Sequence, residues 1–113
     1  MSAEQWRVDA GAADIAVLDI PPALGRTRRF QLDVRFAVAS PAPATDAWHA
    51  LTVEVYGRRQ WTRRIATHAP SDSLDYSCRL DVGEGAALRV RASTRVARGV
   101  QRQRLRIDAE EQE

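Results

Sequence analysis

The sequence predicts an all-β fold, an antiparallel two-layer β-sandwich of about seven to eight strands. Apolar and polar residues alternate along several stretches, which is typical of strands with one buried face. Turn signals containing Pro and Gly separate these stretches, and the length of 113 residues fits one domain. We therefore expect a single β-sandwich domain over residues 1–113, with an acidic C-terminal tail at 109–113 that frays.

The predicted strands differ in how clearly they alternate. In the clearest stretches, 30–38, 74–82 and 88–96, an apolar residue occupies nearly every second position. A shorter stretch covers 51–55. The weaker candidates are Trp6 with Val8, residues 15–20, Trp61 with Ile65, and Leu105 with Ile107.

Two turn signals set the expected pairing of the last strands. Residues 83–85 serve as a three-residue turn and residues 98–99 as a two-residue turn. Together they predict a C-terminal three-stranded antiparallel meander over 74–107. Leu80 then lies opposite Leu88, and other apolar residues also face each other, which supports the chosen register.

An immunoglobulin-like order is the alternative topology, because it would send consecutive strands to different sheets at one of these turns. Tyr76 and Cys78 resemble the tyrosine corner of immunoglobulin domains. That resemblance covers three residues and lacks the second cysteine, so it identifies no family. The short turn at 83–85 favours the meander.

A further hairpin is predicted in the middle of the chain, around a turn at 57–59. This register pairs Val55 with Trp61. It also turns Arg63 inward opposite Val53, which is its weakness because an unpaired charge is costly to bury.

The meander gathers arginines on its outer face. The chain contains no lysine, so all 17 positive charges are arginines. The outward arginines of the predicted meander are Arg79, Arg89, Arg91, Arg95, Arg102, Arg104 and Arg106. They stand against Asp75, Asp81 and Asp108. Like charges directly opposite each other do not stabilise a sheet, so we expect this face to serve binding.

The leading functional prediction is a non-enzymatic interaction module that presents this face to an acidic protein partner. The predicted binding residues are Arg89, Arg91, Arg95, Arg102, Arg104, Arg106 and Trp48. Trp48 follows a Pro-rich loop at 40–46 and is expected to be the most exposed tryptophan, so the two form a second candidate contact. Oligomeric state does not follow from the sequence.

Two alternatives remain open at this stage. A nucleic acid or other polyanion would use the same arginines, although the outer face of the predicted meander carries no aromatic residue for base stacking. A small-ligand-binding or enzyme domain would instead need a pocket at one end of the sandwich.

Catalytic and metal-binding patterns are absent from the sequence. His49 and His68 are expected close together but on opposite faces, which is poor geometry for a shared metal, so we expect neither metal nor cofactor. The single cysteine, Cys78, allows no internal disulfide and reads as a small core residue. The first residues lack the apolar segment of a signal peptide, which predicts a cytoplasmic protein without a membrane contact.

Overall fold

The fold is described from a computed structural model, which describes residues 3–41 and 46–112. These residues form the following strands: β1 (Gln5–Asp9), β2 (Ile15–Ile20), β3 (Arg28–Ala39), β4 (Trp48–Val55), β5 (Arg58–Ala66), β6 (Ser71–Val82), β7 (Leu88–Val96) and β8 (Gln101–Gln112). Within those two ranges the structure contains no helix that is long and apolar enough to cross a membrane.

The strands form two four-stranded sheets, and all pairs are antiparallel. Sheet 1 has the order β1-β8-β3-β6, and sheet 2 has the order β2-β7-β4-β5. The predicted antiparallel two-layer β-sandwich is therefore confirmed. The pairs β1–β8, β2–β7, β3–β6 and β4–β5 are those of an eight-stranded jelly roll, in which one long hairpin folds over on itself.

The predicted C-terminal meander is wrong. In the described part of the chain, β6 and β8 lie in sheet 1 and both flank β3, whereas β7 lies in sheet 2 between β2 and β4. The chain crosses from one sheet to the other at 83–87 and again at 97–100. The strand order is not immunoglobulin-like either. That alternative did, however, predict that consecutive strands change sheet at one of these turns, and they do so at both.

The turn at 83–85 is part of a longer connection that spans the gap between the sheets. Packed sheets lie about 10 Å apart, and four or five residues with a reach of about 3.3 Å each cover that distance. The backbone turns locally at each crossing, where Ala86 N donates to Gly83 O at 3.1 Å and Val100 N donates to Ala97 O at 3.1 Å. The Gly-containing turns are therefore present, but they change sheets.

The middle hairpin forms between β4 and β5, in a different register from the predicted one. Its turn residues are Tyr56 and Gly57, both with positive φ, and Val53 rather than Val55 pairs with Trp61. Arg63 does share the inward side, opposite Leu51, yet it stays exposed because β5 is an edge strand. Because Arg63 lies outside the core, its charge is not buried, and the cost expected for an inward arginine does not arise.

The described residues of the C-terminal tail belong to a strand, whereas a frayed tail was expected. β8 continues to Gln112, and the Glu111 side chain is only 9% exposed because Arg26 holds it at 2.8 Å. The expected loop at 40–46 and the predicted end of the tail, Glu113, fall partly on residues 42–45 and 113, which lie outside the described residues.

The core fills the space between the two sheets. Beginning at Phe30, every second residue of β3 points into the core and is fully buried. These inward residues are Phe30, Leu32, Val34, Phe36 and Val38. At the side formed by β5 and β6, the rings of Trp61 and Tyr76 stack at 4.7 Å between centroids and join the two sheets. The remaining outward positions are polar or charged, and these are the positions that decide the functional site.

Candidate functional site

The crossovers divide the predicted binding residues between opposite sides of the molecule. Arg89, Arg91 and Arg95 alternate with buried residues of β7 and point outward from sheet 2. Arg104 and Arg106 point outward from sheet 1, opposite Ala37 and Arg35 of β3. One continuous arginine face is therefore wrong, because its strands belong to two sheets that turn their outer faces away from each other.

The side chain of Arg102 lies on neither outer face. A β-bulge between Ala37 and Val38 shifts the register of β8, so that Arg102 lies opposite the buried Val38. Its Nε donates to Thr94 Oγ1 at 2.9 Å, and a terminal nitrogen donates to Thr94 O at 3.1 Å. Arg102 thus ties β8 of sheet 1 to β7 of sheet 2, which is a structural role that simple alternation does not predict.

The outer face of sheet 1 carries nearly matched charges. Its arginines among the described residues are Arg7, Arg29, Arg35, Arg79, Arg104 and Arg106. Its carboxylates are Asp9, Asp33, Asp75, Asp81, Asp108 and Glu110. The arginines are largely paired with them, for example Arg104 with Asp9 at 3.4 Å and Arg106 with Asp108 at 3.0 Å. A shallow groove of about 740 Å³ on this face is lined by the same mixed charges.

The outer face of sheet 2 is positive. Its outward arginines in the described residues are Arg59 and Arg64 of β5 and Arg89, Arg91 and Arg95 of β7. Its carboxylates there are Asp19 and Glu54. Arg59 and Arg64 were missing from the predicted site. Alternation with Trp61 and Ile65 marks Arg64 as outward, but only the sheet order shows that β5 joins the face that holds β7.

Arg89 is the one of these five arginines that pairs with a carboxylate among the described residues. Its Nε and a terminal nitrogen donate to the two carboxylate oxygens of Asp19 at 2.7 and 3.1 Å. These hydrogen bonds hold the pKa of Asp19 below its usual value and raise the pKa of Arg89. Arg89 is therefore neutralised, and the excess positive charge resides on the other four arginines.

Arg59, Arg64, Arg91 and Arg95 have no carboxylate within 4.0 Å in the part of the chain that the structure describes. Glu54 lies in the same cross-strand row, between Arg59 on one side and Arg91 on the other. Exposed guanidinium groups without a local partner keep all their N–H donors available for a ligand. This property separates sheet 2 from sheet 1.

Trp48 lies on the same outer face, at the first position of β4. The guanidinium carbon of Arg64 lies 3.8 Å from the centroid of the indole ring, and that of Arg95 lies 5.8 Å from it. Both distances are within the range of a cation–π contact. Trp48 is half-buried, so it positions the two arginines while part of its ring stays accessible.

A cleft of about 740 Å³ opens beside Trp48 at the end of sheet 2; we call it the Trp48 cleft. Its lining combines apolar side chains of β5 and of the end of β7 with two arginines and one aspartate. The lining residues are Asp46, Ala47, Trp48, Arg64, Ile65, Ala66, Val96, Ala97 and Arg98. The cleft therefore combines an apolar floor with guanidinium donors.

The histidines form no metal centre. His49 is fully buried on the core side of β4 with its Nδ1 2.6 Å from Thr67 Oγ1, whereas His68 is exposed and lies 3.0 Å from Asp72. Among the described residues no group of His, Cys, Asp and Glu side chains has an arrangement that could hold a metal ion. Cys78 is half-buried on the core side of β6, and burial raises the pKa of its thiol.

Comparisons with known proteins add little to this description. No protein-family model matches the chain, and no curated protein matches it. A solved structure of dimeric latent PorU from Porphyromonas gingivalis is similar with a TM-score of 0.48 and 11% identity, covering 98% of this chain. This chain spans 13% of the length of that PorU chain.

A second similar structure is the CBM36-1 domain of a multidomain xylanase from the hindgut metagenome of Trinervitermes trinervoides. The TM-score is 0.42 and the identity 7%, over 94% of this chain and 96% of that chain. At such low TM-scores and identities, neither likeness carries an argument about this chain. The case for function rests on the residues themselves.

Proposed function

We propose that this chain is a non-enzymatic binding module, and that it docks an acidic protein segment on the outer face of sheet 2. The observation that carries the proposal is the contrast between the two outer faces. Sheet 1 pairs most of its arginines with carboxylates, whereas Arg59, Arg64, Arg91 and Arg95 of sheet 2 have none within 4.0 Å in the described residues. A surface of free guanidinium groups complements carboxylates, which arginine binds bidentately.

The apolar residues beside these arginines favour a protein over a polyanion. Ile15 and Val17, both about two-fifths exposed, extend the face on the β2 side, and the Trp48 cleft extends it on the β5 side. Protein interfaces combine such apolar contacts with arginine and tryptophan. A cytoplasmic location, expected from the sequence, belongs to the same proposal.

Nucleic acid is the second candidate, because the structure puts one aromatic residue on the positive face where the predicted meander had none. Bases stack on open aromatic rings in single-strand binders. The Arg64 guanidinium lies 3.8 Å from the Trp48 ring and covers part of it, so a base would have to displace that arginine. Stacking of a base on Trp48 therefore carries this additional cost. A carboxylate that binds Arg64 where it lies does not, because the arginine stays on the ring.

The test measures binding of a fluorescein-labelled glutamate-rich peptide and of a single-stranded oligonucleotide of equal charge, by anisotropy over a salt series. We expect the peptide to bind more tightly, and the double variant Arg59→Gln, Arg91→Gln to weaken it about a hundredfold, since each of the two charge-assisted contacts contributes about 1.5 kcal/mol.

The matched control is Arg79→Gln. Arg79 is exposed on sheet 1, and it too lacks a carboxylate within 4.0 Å in the described residues, but Gln31 lies 3.3 Å from its Nε. We expect this variant to bind like the wild type. Tighter oligonucleotide binding with a slope of about −0.7 per phosphate in log K against log salt would replace the proposal by the nucleic-acid candidate.

A further inference from the structure

We infer that the Trp48 cleft recognises a bulky apolar side chain next to a carboxylate, so that the acidic segment must carry such a pair. This inference rests on the proposed function and narrows its ligand. A uniformly acidic segment would satisfy the arginines of sheet 2 but leave the apolar floor of the cleft in water.

The two arginines that contact Trp48 are held ready for a carboxylate, and Arg64 is the one of them that lines the cleft. Arg64 and Arg95 contact the Trp48 ring at 3.8 and 5.8 Å, and neither has a hydrogen-bond or ion-pair partner among the described residues. A guanidinium that lies over an aromatic ring keeps its N–H donors free at its edge, where they match the two oxygens of a carboxylate. The contact with Trp48 thus lowers the entropy that binding would otherwise cost.

The floor of the cleft supplies the second half of the recognition. Ile65 and Val96 are half-buried and extend the core outward at this end of sheet 2. Ala66 and Ala97 are small, and they leave room beside the indole ring within the volume of about 740 Å³. An aliphatic or aromatic side chain that enters this space removes apolar surface from water on both partners, which stabilises the complex.

Charge at the rim selects the neighbour of that apolar side chain. Arg64 and Arg98 line the cleft with Asp46 as its carboxylate, so the rim is net positive. A basic residue next to the apolar side chain would be repelled, and a neutral one would leave the guanidinium groups without an acceptor. The chemistry therefore favours Asp or Glu beside Leu, Ile, Phe or Trp.

The test compares two labelled peptides of identical length and charge, in which alternating Glu and Ser surround a central Leu or a central Ala. Anisotropy at fixed salt should show about tenfold tighter binding of the Leu peptide, the difference that burial of most of a leucine supplies. In Trp48→Ala the Leu peptide should lose this advantage and bind like the Ala peptide.

A second variant, Ala66→Glu, guards against a folding defect in Trp48→Ala. Ala66 is exposed opposite Trp48 at the end of edge strand β5, so a glutamate there is tolerated by the fold while it fills the cleft and binds Arg64 internally. The Leu peptide should again lose its advantage. Arg79→Gln on sheet 1 should keep it.

The outcomes separate the inference from the proposed function. If both peptides bind the wild type equally and the double variant Arg59→Gln, Arg91→Gln weakens both, the inference is overturned and the proposed function stands. If neither peptide binds better than a neutral one, both fail. If the Leu advantage survives in Ala66→Glu, the apolar contact lies elsewhere and the cleft is the wrong site.

Discussion

His49 shows at the scale of one residue how a buried polar group constrains the fold. Its ring is fully buried, its Nδ1 lies 2.6 Å from Thr67 Oγ1, and Phe36 packs against it at 5.9 Å between ring centroids. Its Nε2 has no hydrogen-bond partner among the described residues. Burial lowers the pKa of His49 from 6.5, which outweighs the nearby charge of Asp72, so the ring stays neutral in the folded protein.

This lowered pKa predicts that the protein loses stability in mild acid. Well above pH 6.5 His49 is neutral in both the folded and the unfolded state, so it adds no pH dependence there. Below pH 6.5 His49 takes up a proton in the unfolded chain but remains neutral in the folded protein until the pH falls further. The free energy of unfolding therefore falls by at most about 1.4 kcal/mol per pH unit. Urea unfolding of the wild type and of His49→Gln between pH 7 and pH 5 measures the effect.

The expected result is a smaller fall in the His49→Gln variant, whatever its stability at pH 7. His68→Gln is the matched control, because His68 is the other histidine and its side chain is 84% exposed. That variant should keep the wild-type fall. Equal slopes for wild type and His49→Gln would show that carboxylates alone account for the acid sensitivity.

The β4–β5 hairpin illustrates what decides register at the scale of one element. Tyr56 has φ of 54° and Gly57 has φ of 76°, which are the left-handed values of a two-residue type I′ turn. The sequence marks Gly57 as a turn residue but not Tyr56, because tyrosine rarely adopts positive φ. The predicted turn at 57–59 therefore began one residue too late. A β-bulge between Val53 and Glu54 then shifts the pairing once more, so that Trp61 lies opposite Val53.

Tyr56→Asn is expected to stabilise the hairpin. Asparagine adopts left-handed φ more readily than tyrosine, which predicts a gain of about 0.5–1 kcal/mol in the free energy of unfolding. Tyr56 is 54% exposed, so little packing is lost. The midpoint of urea unfolding is the measurement. Gly57→Ala should lower this midpoint, because it should reduce the free energy of unfolding by about 1 kcal/mol. A lower midpoint for Tyr56→Asn would mean that the tyrosine ring, not the turn, stabilises this end of the sheet.

The strands were predictable and their partners were not, for a physical reason that β6, β7 and β8 make plain. Alternation fixes which side chains face the core, and the core residues Leu88, Leu105 and Ile107 are all inward as expected. In the predicted meander Leu80 faced Leu88, whereas in the structure it pairs with Phe30. Both registers bury the same apolar residues, so matching apolar residues across a turn does not distinguish them.

The candidate site inherited this ambiguity. Arg91 and Arg95 were correctly expected outward, but whether they share a face with Arg104 or with Arg64 depends on sheet order alone. The absence of Arg102 from the outer face of sheet 1 has another cause, a β-bulge opposite Val38 that the sequence of β8 does not indicate. Outward positions follow from local pattern, while the composition of a face follows from topology.

For the whole molecule, topology sorts a modest net charge of +2 into two unlike faces. Jelly-roll winding places β8 next to β1, whose Asp9 pairs with Arg104, while Arg106 pairs with Asp108 of β8 itself. It places β7 next to β4, which in turn pairs with β5, and β5 brings Arg59 and Arg64 instead. An isolated buried charge would be costly, but exposed positive charge is tolerated and lowers the risk that edge strand β5 pairs with another chain. The asymmetry is therefore compatible with stability, and it supports the proposed docking of an acidic partner.

Charge reversal at one arginine on each face tests this asymmetry through stability alone. Arg104→Glu on sheet 1 removes the contact with Asp9 at 3.4 Å and places two carboxylates together, so it should lower Tm by about 2 °C, corresponding to about 0.5 kcal/mol. Arg95→Glu on sheet 2 puts a carboxylate on the face that also carries Arg64 and Arg91, and Tm should stay the same or rise. On one continuous arginine face both reversals would relieve repulsion and act with the same sign. Calorimetry in about 20 mM and about 1 M salt completes the test, because screening at high salt should remove most of the difference between the two variants.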